Sequence, residues 1–259
     1  MIKALSTAST GMHAQETRLD QIASDLANLN TTGYKRGKAD FQDLLYQNLK
    51  ESGGGPNQNP VGVQVGSGAR VAAQYAVFDQ GPVKQTNGML DFLINGDGFF
   101  VVQRPTGEIS YTRDGSFKLD NQGRVVTTDG HPMIPNIVVP QGASGLMVSP
   151  QGEVKAVTPP STEQVIGQIQ IVNFINPEGL RKIGNNQVVA TTASGPPVQG
   201  NPGENGLGLI MQGALEGSNV KPTESIMDMI ATQRTYESNA KIMGVADQMW
   251  STTNNIGNR

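Results

Sequence analysis

Apolar residues recur every seven positions at the N-terminal end of the chain. The first row comprises Leu5, Met12, Leu19 and Leu26, and a second row three residues later comprises Ala8, Gln15, Ile22 and Leu29. Two such rows are typical of a helix that packs along one stripe, as in a coiled coil. Asn30 and Gly33 follow, and both residue types readily end a helix in the left-handed conformation. The pattern predicts an N-terminal helix that ends in the sequence LNTTG.

The C-terminal end repeats the seven-residue spacing. Its main row comprises Met229, Tyr236, Met243 and Trp250, and the apolar face is widened by Ile226, Ile230, Ala240, Ala246 and Met249. Pro222 suits the first position of a helix, and Glu224 places a negative charge in its first turn. Gly244 costs about 1 kcal/mol relative to alanine inside such a helix. Its presence predicts close packing or a bend.

Between these ends the sequence changes character twice. A short helical pattern covers 40–47, and residues 51–68 then read ESGGGPNQNPVGVQVGSG, which has the composition of a linker. From about residue 69 to 215, short apolar runs alternate with turn pairs such as Asp129-Gly130 and Gln151-Gly152. The expected strands include 99–103, 124–127, 137–139 and 165–174. Helical crossovers are missing from the pattern, so the predicted sheets are antiparallel.

Two stretches of this middle zone share a frame. Residues 119–125 read LDNQGRV and residues 148–154 read VSPQGEV, so a Gln-Gly pair lies between apolar residues in each. We interpret the likeness as a recurring hairpin design and not as a counted repeat.

The predicted fold is α+β, with terminal helices that pair as a coiled coil and a central antiparallel β domain. The expected boundaries are 1–47 for the N-terminal helical segment, 48–68 for the linker or strut, 69–215 for the β domain and 216–259 for the C-terminal helix. Ordering a helix costs about 1–2 kcal/mol per residue in backbone entropy. A lone stripe of apolar residues should therefore leave the N-terminal helix marginal, so we expect it to pair and then to associate with further copies.

Composition narrows the function classes. The chain has 259 residues, a net charge of −3 and no cysteine. The acidic balance argues against a nucleic-acid partner, and the missing thiols exclude disulfides and thiolate metal sites. The longest apolar runs fall short of the ~18 residues of a membrane helix. The N-terminus also lacks the pattern of a cleaved secretory signal.

Candidate chemistry is sparse. Four carboxylates in the β zone, Asp97, Glu108, Asp114 and Asp120, raise the alternative of a glycan hydrolase. Each lies beside a turn, where such groups bond to the backbone. A metal site on His13 and His131 lacks further ligands at suitable spacing. The basic run at 33–38 is either an anion patch or, as we favour, a solvated turn. We expect no catalytic, metal or cofactor site.

Three stretches in order resemble the bacterial flagellar rod and hook family across the whole chain. They are ASDLANLNTTGYKR at 23–36, GDGFF at 96–100 with YTRDGSF at 111–117, and EGSNV at 216–220 followed by helical positions. The signature residues carried by the first and last stretches are Asn28, Thr31, Gly33, Tyr34, Lys35, Asn219, Gln233, Arg234, Tyr236 and Glu237. Asp25 departs from the asparagine that the family commonly has, and Trp250 is a less usual late apolar residue.

The resemblance implies a structural, non-enzymatic subunit. Its terminal helices would form the inner layer of a helical tube around an export channel, and its β domain the outer layer. The implied partners are further copies, proximal rod proteins, the hook protein and the surrounding L and P rings. The implied location is the basal body across the periplasm, reached by type III export without a cleaved signal. DLLYQ at 43–47 and the linker after it are most similar to the distal part of the rod. Proximal rod and hook subunits stay open, as does an adhesin on a coiled-coil stalk.

We define the assembly seam as ten residues expected to become buried on assembly: Leu5, Met12, Leu19, Ile22, Leu26, Leu29, Met229, Tyr236, Met243 and Trp250.

Overall fold

The computed structural model describes residues 2–50, 62–143, 145–158 and 162–257, which form two compact units. The first unit comprises the described residues within Met1–Ala27, Gly37–Tyr75 and Lys221–Arg259. The second comprises Asn28–Arg36 and the described residues within Ala76–Val220. Short strands and the turns between them follow one another along the described middle of the chain, with one long helix towards each terminus.

The two helices contact each other within the first unit. Helix α1 spans Ile2–Ala27 and helix α2 spans Pro222–Gly257. Pro222 is the first residue of α2 and Glu224 lies in its first turn, as the sequence predicts. The Arg18 guanidinium lies 3.7 Å from an Asp228 carboxylate oxygen, so the contact includes a half-exposed ion pair.

Strands of the first unit replace a predicted helix. Strand β1 spans Gly37–Asp43, β2 spans Tyr46–Lys50, β3 spans Val63–Gly66 and β4 spans Ala69–Ala76. Strand β1 pairs with β4 and β2 pairs with β3. The short helix expected at 40–47 is therefore wrong. Its eight-residue pattern is a weak local preference, and pairing with strands farther along the chain overrides it.

In the described part of the second unit there are sixteen further strands. Their bounds are Val83–Gln85 (β5), Phe92–Asn95 (β6), Phe99–Gln103 (β7), Ile109–Thr112 (β8), Lys118–Leu119 (β9), Val125–Val126 (β10), Met133–Ile134 (β11), Gly145–Val148 (β12), Glu153–Thr158 (β13), Thr162–Gln168 (β14), Ile171–Asn173 (β15), Arg181–Gly184 (β16), Gln187–Val189 (β17), Val198–Gly200 (β18), Leu209–Gln212 (β19) and Ala214–Glu216 (β20). A 3-10 turn spans Pro177–Gly179.

The largest sheet has the order β16-β17-β8-β7-β15-β18, with β11 also paired to β7. A second sheet has the order β12-β13-β14, and the remaining strands form the pairs β19-β6, β20-β5 and β10-β9. These ladders are antiparallel, as expected from the missing helical crossovers.

The two stretches with the shared Gln-Gly frame are both hairpins. In one, Val125 pairs with Leu119, and in the other Val154 pairs with Val148. Their glycines, Gly123 and Gly152, have φ values of 76° and 86°. Such a left-handed residue after a type I turn closes a common hairpin loop, and glycine adopts it without a steric cost. The hairpin interpretation of the frame is confirmed.

Strand β7 lies at the centre of the second unit's core. Phe100 and Val102 belong to one cluster of buried apolar residues, while Phe99 and Val101 belong to another. Successive side chains of a strand point to opposite faces, so β7 is buried on both. A strand buried on both faces needs a continuous apolar run, which the FFVV sequence provides.

Other expected boundaries need correction. Helix α1 ends at Ala27, so Leu29 lies in the turn that follows and not in the helical stripe. The run at 165–174 is two strands, β14 and β15, and 137–139 contributes an isolated bridge between Val138 and Arg124 instead of a strand. Most of the expected linker, residues 51–61, lies outside the described part of the chain.

Candidate functional site

The segment that follows α1, residues 28–36, is a chain of turns in the second unit. The Thr31 amide donates to the Asn28 carbonyl at 3.2 Å, and its hydroxyl donates to the Asn28 side-chain oxygen at 3.2 Å. The Tyr34 amide donates to the Thr31 carbonyl at 3.3 Å. These bonds give partners to backbone groups of the turns that follow the end of α1 at Ala27. Asn28 and Thr31 thus shape the turn.

Gly33 occupies a position that other residues would not fit. It is buried, its φ is +68°, and its amide donates to the Glu216 carbonyl at 2.8 Å. A Cβ placed there would lie 2.6 Å from the Asp114 amide nitrogen and 2.8 Å from the Arg113 carbonyl carbon. Both neighbours are backbone atoms, so they cannot move aside cheaply. Glycine is required both by the conformation and by the close approach.

Three buried charges meet beside this turn. The Lys35 ammonium donates to Glu216 Oε1 at 2.5 Å, and the Arg113 guanidinium lies 3.4 Å from Glu216 Oε2. Their side chains are 3%, 4% and 1% exposed for Lys35, Arg113 and Glu216. Lys35 also donates to the Asp79 carbonyl, and the Gly81 amide donates to Glu216 Oε1. The solvated turn favoured for residues 33–38 is therefore wrong for Lys35, which is a buried ion-pair partner.

Burial dominates the titration of the two cations. Desolvation lowers the pKa of Lys35, and the nearby Glu216 carboxylate offsets part of that effect. Desolvation likewise lowers the pKa of Arg113, against the opposing effect of Glu216 and Asp97. A buried charge costs free energy unless it is paired and hydrogen-bonded.

Asn219 joins the turn segment to residues 77–79. Its side-chain oxygen accepts from the Arg36 amide at 2.7 Å, and its side-chain nitrogen donates to the carbonyls of Val77 and Asp79. Its own amide donates to the Tyr34 carbonyl at 3.4 Å. An asparagine side chain has both donor and acceptor groups, and this one uses both. The signature residues of the two chain ends, Tyr34, Lys35 and Asn219, are therefore brought together.

A cavity of about 240 Å³ lies against the same segment, within the second unit. Its wall contains Asn28, Gly33, Tyr34, Lys35, Phe99 and Arg113 among others. The Lys182 ammonium also lines it, 4.9 Å from the centre of the Tyr34 ring. A cation over an aromatic ring is attracted by the ring's negative face.

The remaining signature residues lie elsewhere. Gln233, Arg234, Tyr236 and Glu237 belong to α2 and have exposed side chains. Among the seam residues, Ile22 is buried, while Leu5, Met12, Leu19, Leu26, Met229 and Met243 are half-buried. Tyr236 and Trp250 are exposed in this single chain. The part of these residues in assembly stays a prediction.

The face of α2 that contains its buried and half-buried residues is more polar than expected. Ser225, Thr232 and Asn239 lie there at seven-residue spacing, with Met229 and Met243 between them. Of the residues expected to widen the apolar face, Ile226, Ile230 and Met249 are instead about half exposed. Among the described side chains of α2, six large aliphatic or methionine side chains are 46–60% exposed, namely Ile226, Met227, Ile230, Ile242, Val245 and Met249. We call this set the outer apolar face.

Of the four carboxylates considered for catalysis, those of Asp114 and Asp120 bond to the backbone of turns. Asp114 Oδ1 accepts from the Ser116 amide and hydroxyl, and Asp120 Oδ1 accepts from the amides of Gln122 and Arg124. Glu108 pairs with Arg104 at 3.1 Å, and the Asp97 carbonyl accepts from the Gly208 amide. Side chains that bond local backbone in this way have a structural role.

The histidines also have local partners. His13 lies 3.3 Å from Glu16 on the same helix, and His131 Nδ1 lies 2.8 Å from the Gln187 side-chain nitrogen. Within the described ranges, no group of three histidine, aspartate or glutamate side chains could hold a metal ion. In the same part of the chain, neither helix is long and apolar enough to cross a membrane.

An antiparallel β body together with two long helices, one of them apolar on its outer side, defines a structural subunit suited to association. Comparisons with known proteins give its family. Residues 5–35 match the family described as flagella basal body rod protein, residues 93–156 match the flagellar hook protein FlgE/F/G D1 domain, and residues 211–256 match the flagellar basal body rod FlgEFG protein C-terminal family.

Curated relatives match nearly the full length. The flagellar basal-body rod protein FlgG of Borreliella burgdorferi is 42% identical, and 99% of each chain is covered. Proteins of the same name from Buchnera aphidicola of Acyrthosiphon pisum and from Bacillus subtilis are 41% and 34% identical, with 96% of this chain and 97% of each relative covered. The chain belongs to the flagellar basal-body rod protein family. It is a structural component of the basal body, assembles with other rod and hook components, and is not an enzyme.

Arg113 and Glu216 lie within the stretches at 111–117 and 216–220 that resemble the family, but the sequence did not predict a role for either residue. Their partnership joins positions 103 residues apart in the chain. A single sequence shows that a charge lies next to glycines and apolar residues, but it does not show which opposite charge the fold brings to it.

Proposed function

We propose that this chain is a subunit of the distal rod, where many copies stack into an open helical tube that encloses the export channel and transmits torque to the hook. The near full-length likeness to rod proteins named FlgG supports this position. The alternative is a proximal rod or hook position, since one matching family description also includes hook proteins.

The outer apolar face of α2 is the observation that carries the proposal. At 3.6 residues per turn, its six residues cover roughly half of the helix circumference. They lie opposite Ser225, Thr232 and Met243, on the side of α2 directed away from its buried and half-buried residues. Burying each remaining half side chain would stabilise an interface by about 1 kcal/mol. Exposed apolar surface of this kind is typical of an interaction site.

In the assembled tube, 1–47 and 216–259 would form the inner layer and 69–215 the outer layer. In that inner layer the helices would form a coiled coil. Neighbouring copies would cover both the assembly seam and the outer apolar face. Subunits that repeat head to tail form open helical arrays when the rotation does not close. Proximal rod proteins, the hook protein and the L and P rings are the other proposed partners, around a tube that spans the periplasm. Export without a cleaved signal belongs to the same proposal.

Residues 48–68 would act as a strut between copies. The described part of this region includes Leu49 and Val63, which are 60% and 49% exposed, and Leu45 just before it is 89% exposed. These exposed apolar side chains lie on β2, on β3 and just before β2. Contact with a neighbouring copy would remove them from water.

The test is the variant Val245→Asp, with Ser251→Asp as the matched control. Both residues are exposed on α2, but Val245 belongs to the outer apolar face, whereas Ser251 lies outside the sector of the helix that this face covers. A carboxylate buried in an apolar contact is strongly unfavourable. We expect Val245→Asp to abolish rod growth and motility in cells whose own copy is deleted, while Ser251→Asp supports both. Normal rods with Val245→Asp would contradict the proposal.

A further inference from the structure

The cavity beside Lys35 and Arg113 has more positive than negative buried charge. Two cations, Lys35 and Arg113, share one buried carboxylate, that of Glu216. Asp79 and Asp97 also act on them electrostatically, but both side chains are exposed, so water screens their effect. The Lys182 ammonium adds a further positive charge at the cavity wall. One buried charge is left in excess.

The Arg113 guanidinium has a donor that its surroundings do not satisfy. Its Nε is buried and, among the described residues, finds no hydrogen-bond acceptor. Its Nη1 makes long contacts, 3.4 Å to Glu216 Oε2 and 3.5 Å to the Ile94 carbonyl. Leaving a buried donor on a charged group unsatisfied is costly, and native proteins rarely do so. Burial lowers the pKa of Arg113, consistent with incomplete compensation.

The shape and lining of the cavity indicate which anion would fit. About 240 Å³ is room for a few non-hydrogen atoms beyond a bound water. Its aromatic walls include Tyr34, Phe78 and Phe99, which suit the methylene groups of an aliphatic stem. The side of a guanidinium binds the two oxygens of a carboxylate in a matching planar geometry. A single excess charge matches a monoanion.

We propose that this cavity is a carboxylate-binding site in which the Nε–H of Arg113 donates to a carboxylate oxygen and Lys182 adds electrostatic attraction. The carboxylate is carried on a short aliphatic stem. An acidic side chain of a neighbouring protein chain and a small free carboxylic acid both present this chemistry. The site would anchor one subunit to the next in the first case, and would be a ligand site in the second.

The test is an NMR titration of the full chain with butyrate, observing the arginine Nε–H resonances. Loss of one resonance in Arg113→Lys assigns the Arg113 signal. We expect that signal to move downfield and to saturate with a Kd on the order of 1 mM. Sodium chloride at equal ionic strength should leave it in place. A signal that butyrate does not move, or that chloride moves equally, would overturn the proposal.

Two further variants keep the test informative if Arg113→Lys fails to fold. Lys182→Gln removes the charge at the cavity wall, and we expect butyrate to bind about two- to fivefold more weakly. Arg181→Gln removes an equal charge from the neighbouring residue, which does not line the cavity, and should leave the Kd unchanged. Equal weakening by both variants would show a general effect of surface charge and would contradict a site at Lys182.

A second arm distinguishes the sources of the carboxylate, and this arm rests on the proposed assembly into rods. Electron cryomicroscopy of isolated basal bodies should show a neighbouring aspartate or glutamate within hydrogen-bonding distance of Arg113 Nε if the source is a protein. Butyrate binding together with a cavity that no neighbouring chain enters would assign the site to a free acid. The titration does not depend on assembly, so its failure is separate from failure of the rod proposal.

Discussion

Single residues of the second unit hold its turn segment through contacts that a substitution cannot easily replace. Gly33 has backbone atoms of Arg113 and Asp114 directly beside it, and Lys35 ends in a buried ion pair with Glu216. Asn219 uses both ends of its amide group. Gly33 is needed for its backbone conformation, and Lys35 is needed for its charge. Asn219 is needed because its amide group both donates and accepts.

Gly33→Ala tests the close approach at the turn. The added Cβ would meet the Asp114 amide nitrogen at 2.6 Å while the backbone stays at a φ of +68°. Strain of the conformation alone costs about 1–3 kcal/mol, and the clash adds to it. We expect a loss in unfolding free energy of more than about 2 kcal/mol in urea melts.

Gly130→Ala is the matched control for that variant. Gly130 also has a positive φ, 83°, but a Cβ there would meet nothing within 4 Å. Gly130→Ala should therefore lose only the part of the unfolding free energy that comes from the strained backbone conformation. If both variants lose the same free energy, the contact with Asp114 contributes nothing and our account of Gly33 is wrong.

The half-buried carboxyl group of Asp114 should make the stability of the chain depend on pH. Desolvation by burial raises its pKa above 3.8, against the opposing hydrogen bonds from Ser116. Between 3.8 and the raised pKa the folded state holds more protons than the unfolded state, so the unfolding free energy falls as pH rises through that window. Asp114→Asn keeps an acceptor oxygen and removes this titration. The stability of the variant relative to the parent chain should therefore increase as pH rises from about 3.5 to 7.

Asp120→Asn should show the opposite trend in the same melts. Hydrogen bonds, first among them that from the Arg124 amide, lower the pKa of Asp120. Its contribution is present above 3.8 and is lost as the pH falls through the lowered value, so the parent chain loses stability in acid relative to this variant. A relative stability of Asp114→Asn that is flat or falls with rising pH would contradict the assigned burial effect.

At the scale of elements, the sequence predicts what local chemistry determines. The hairpins at 119–125 and 148–154 follow from a glycine that closes the turn between apolar strands, and β7 follows from a continuous apolar run. The first residue of α2 follows from proline chemistry. Strands β1 and β2 were not predicted, because their partners β4 and β3 come later in the chain and a local pattern does not reveal them.

The sequence predicts only in part which residues of the helices are buried. The seven-residue period predicts that Met229 and Met243 are sheltered, which they are in part. It does not reveal that Thr232 and Asn239 share their side of α2, whereas Ile230 and Met249 do not. A period describes which residues share a face, but only a partner determines which face is covered. Polar residues along a helix contact can fix its register at some cost in stability.

Gly244→Ala tests the expectation of close packing in α2. A Cβ at Gly244 would meet nothing within 4 Å in the single chain. Alanine should therefore stabilise the isolated chain by about 1 kcal/mol, measured by urea melts followed at a helical circular-dichroism band. If a neighbouring copy approaches at this glycine, the same variant should assemble more slowly.

Gly11→Ala provides the comparison on α1. Its Cβ would lie 3.1 Å from the Asn239 side-chain nitrogen, so the neighbour must shift and the gain should be smaller. Destabilisation of the isolated chain by Gly244→Ala would contradict the open surroundings of that residue.

At the scale of the whole molecule, the two units differ in what supports them. The second unit contains both clusters of buried apolar residues, including the aromatic contacts of Phe99 with Phe78 and Phe174. Helix α2 of the first unit has apolar side chains exposed along much of its length. Regions with few buried apolar contacts open more readily than a packed core. We therefore expect the helices to gain their full stability from neighbouring copies, whereas the β body is stable by itself.

Hydrogen exchange of the full chain, followed by mass spectrometry before and after assembly, tests this central claim most directly. In the dispersed chain, amides of α1 and α2 should exchange much faster than those of β7 and β8. In assembled rods both helices should become strongly protected, while the strands change little. Helices that are fully protected in the dispersed chain, or that stay unprotected in assembled rods, would contradict the account.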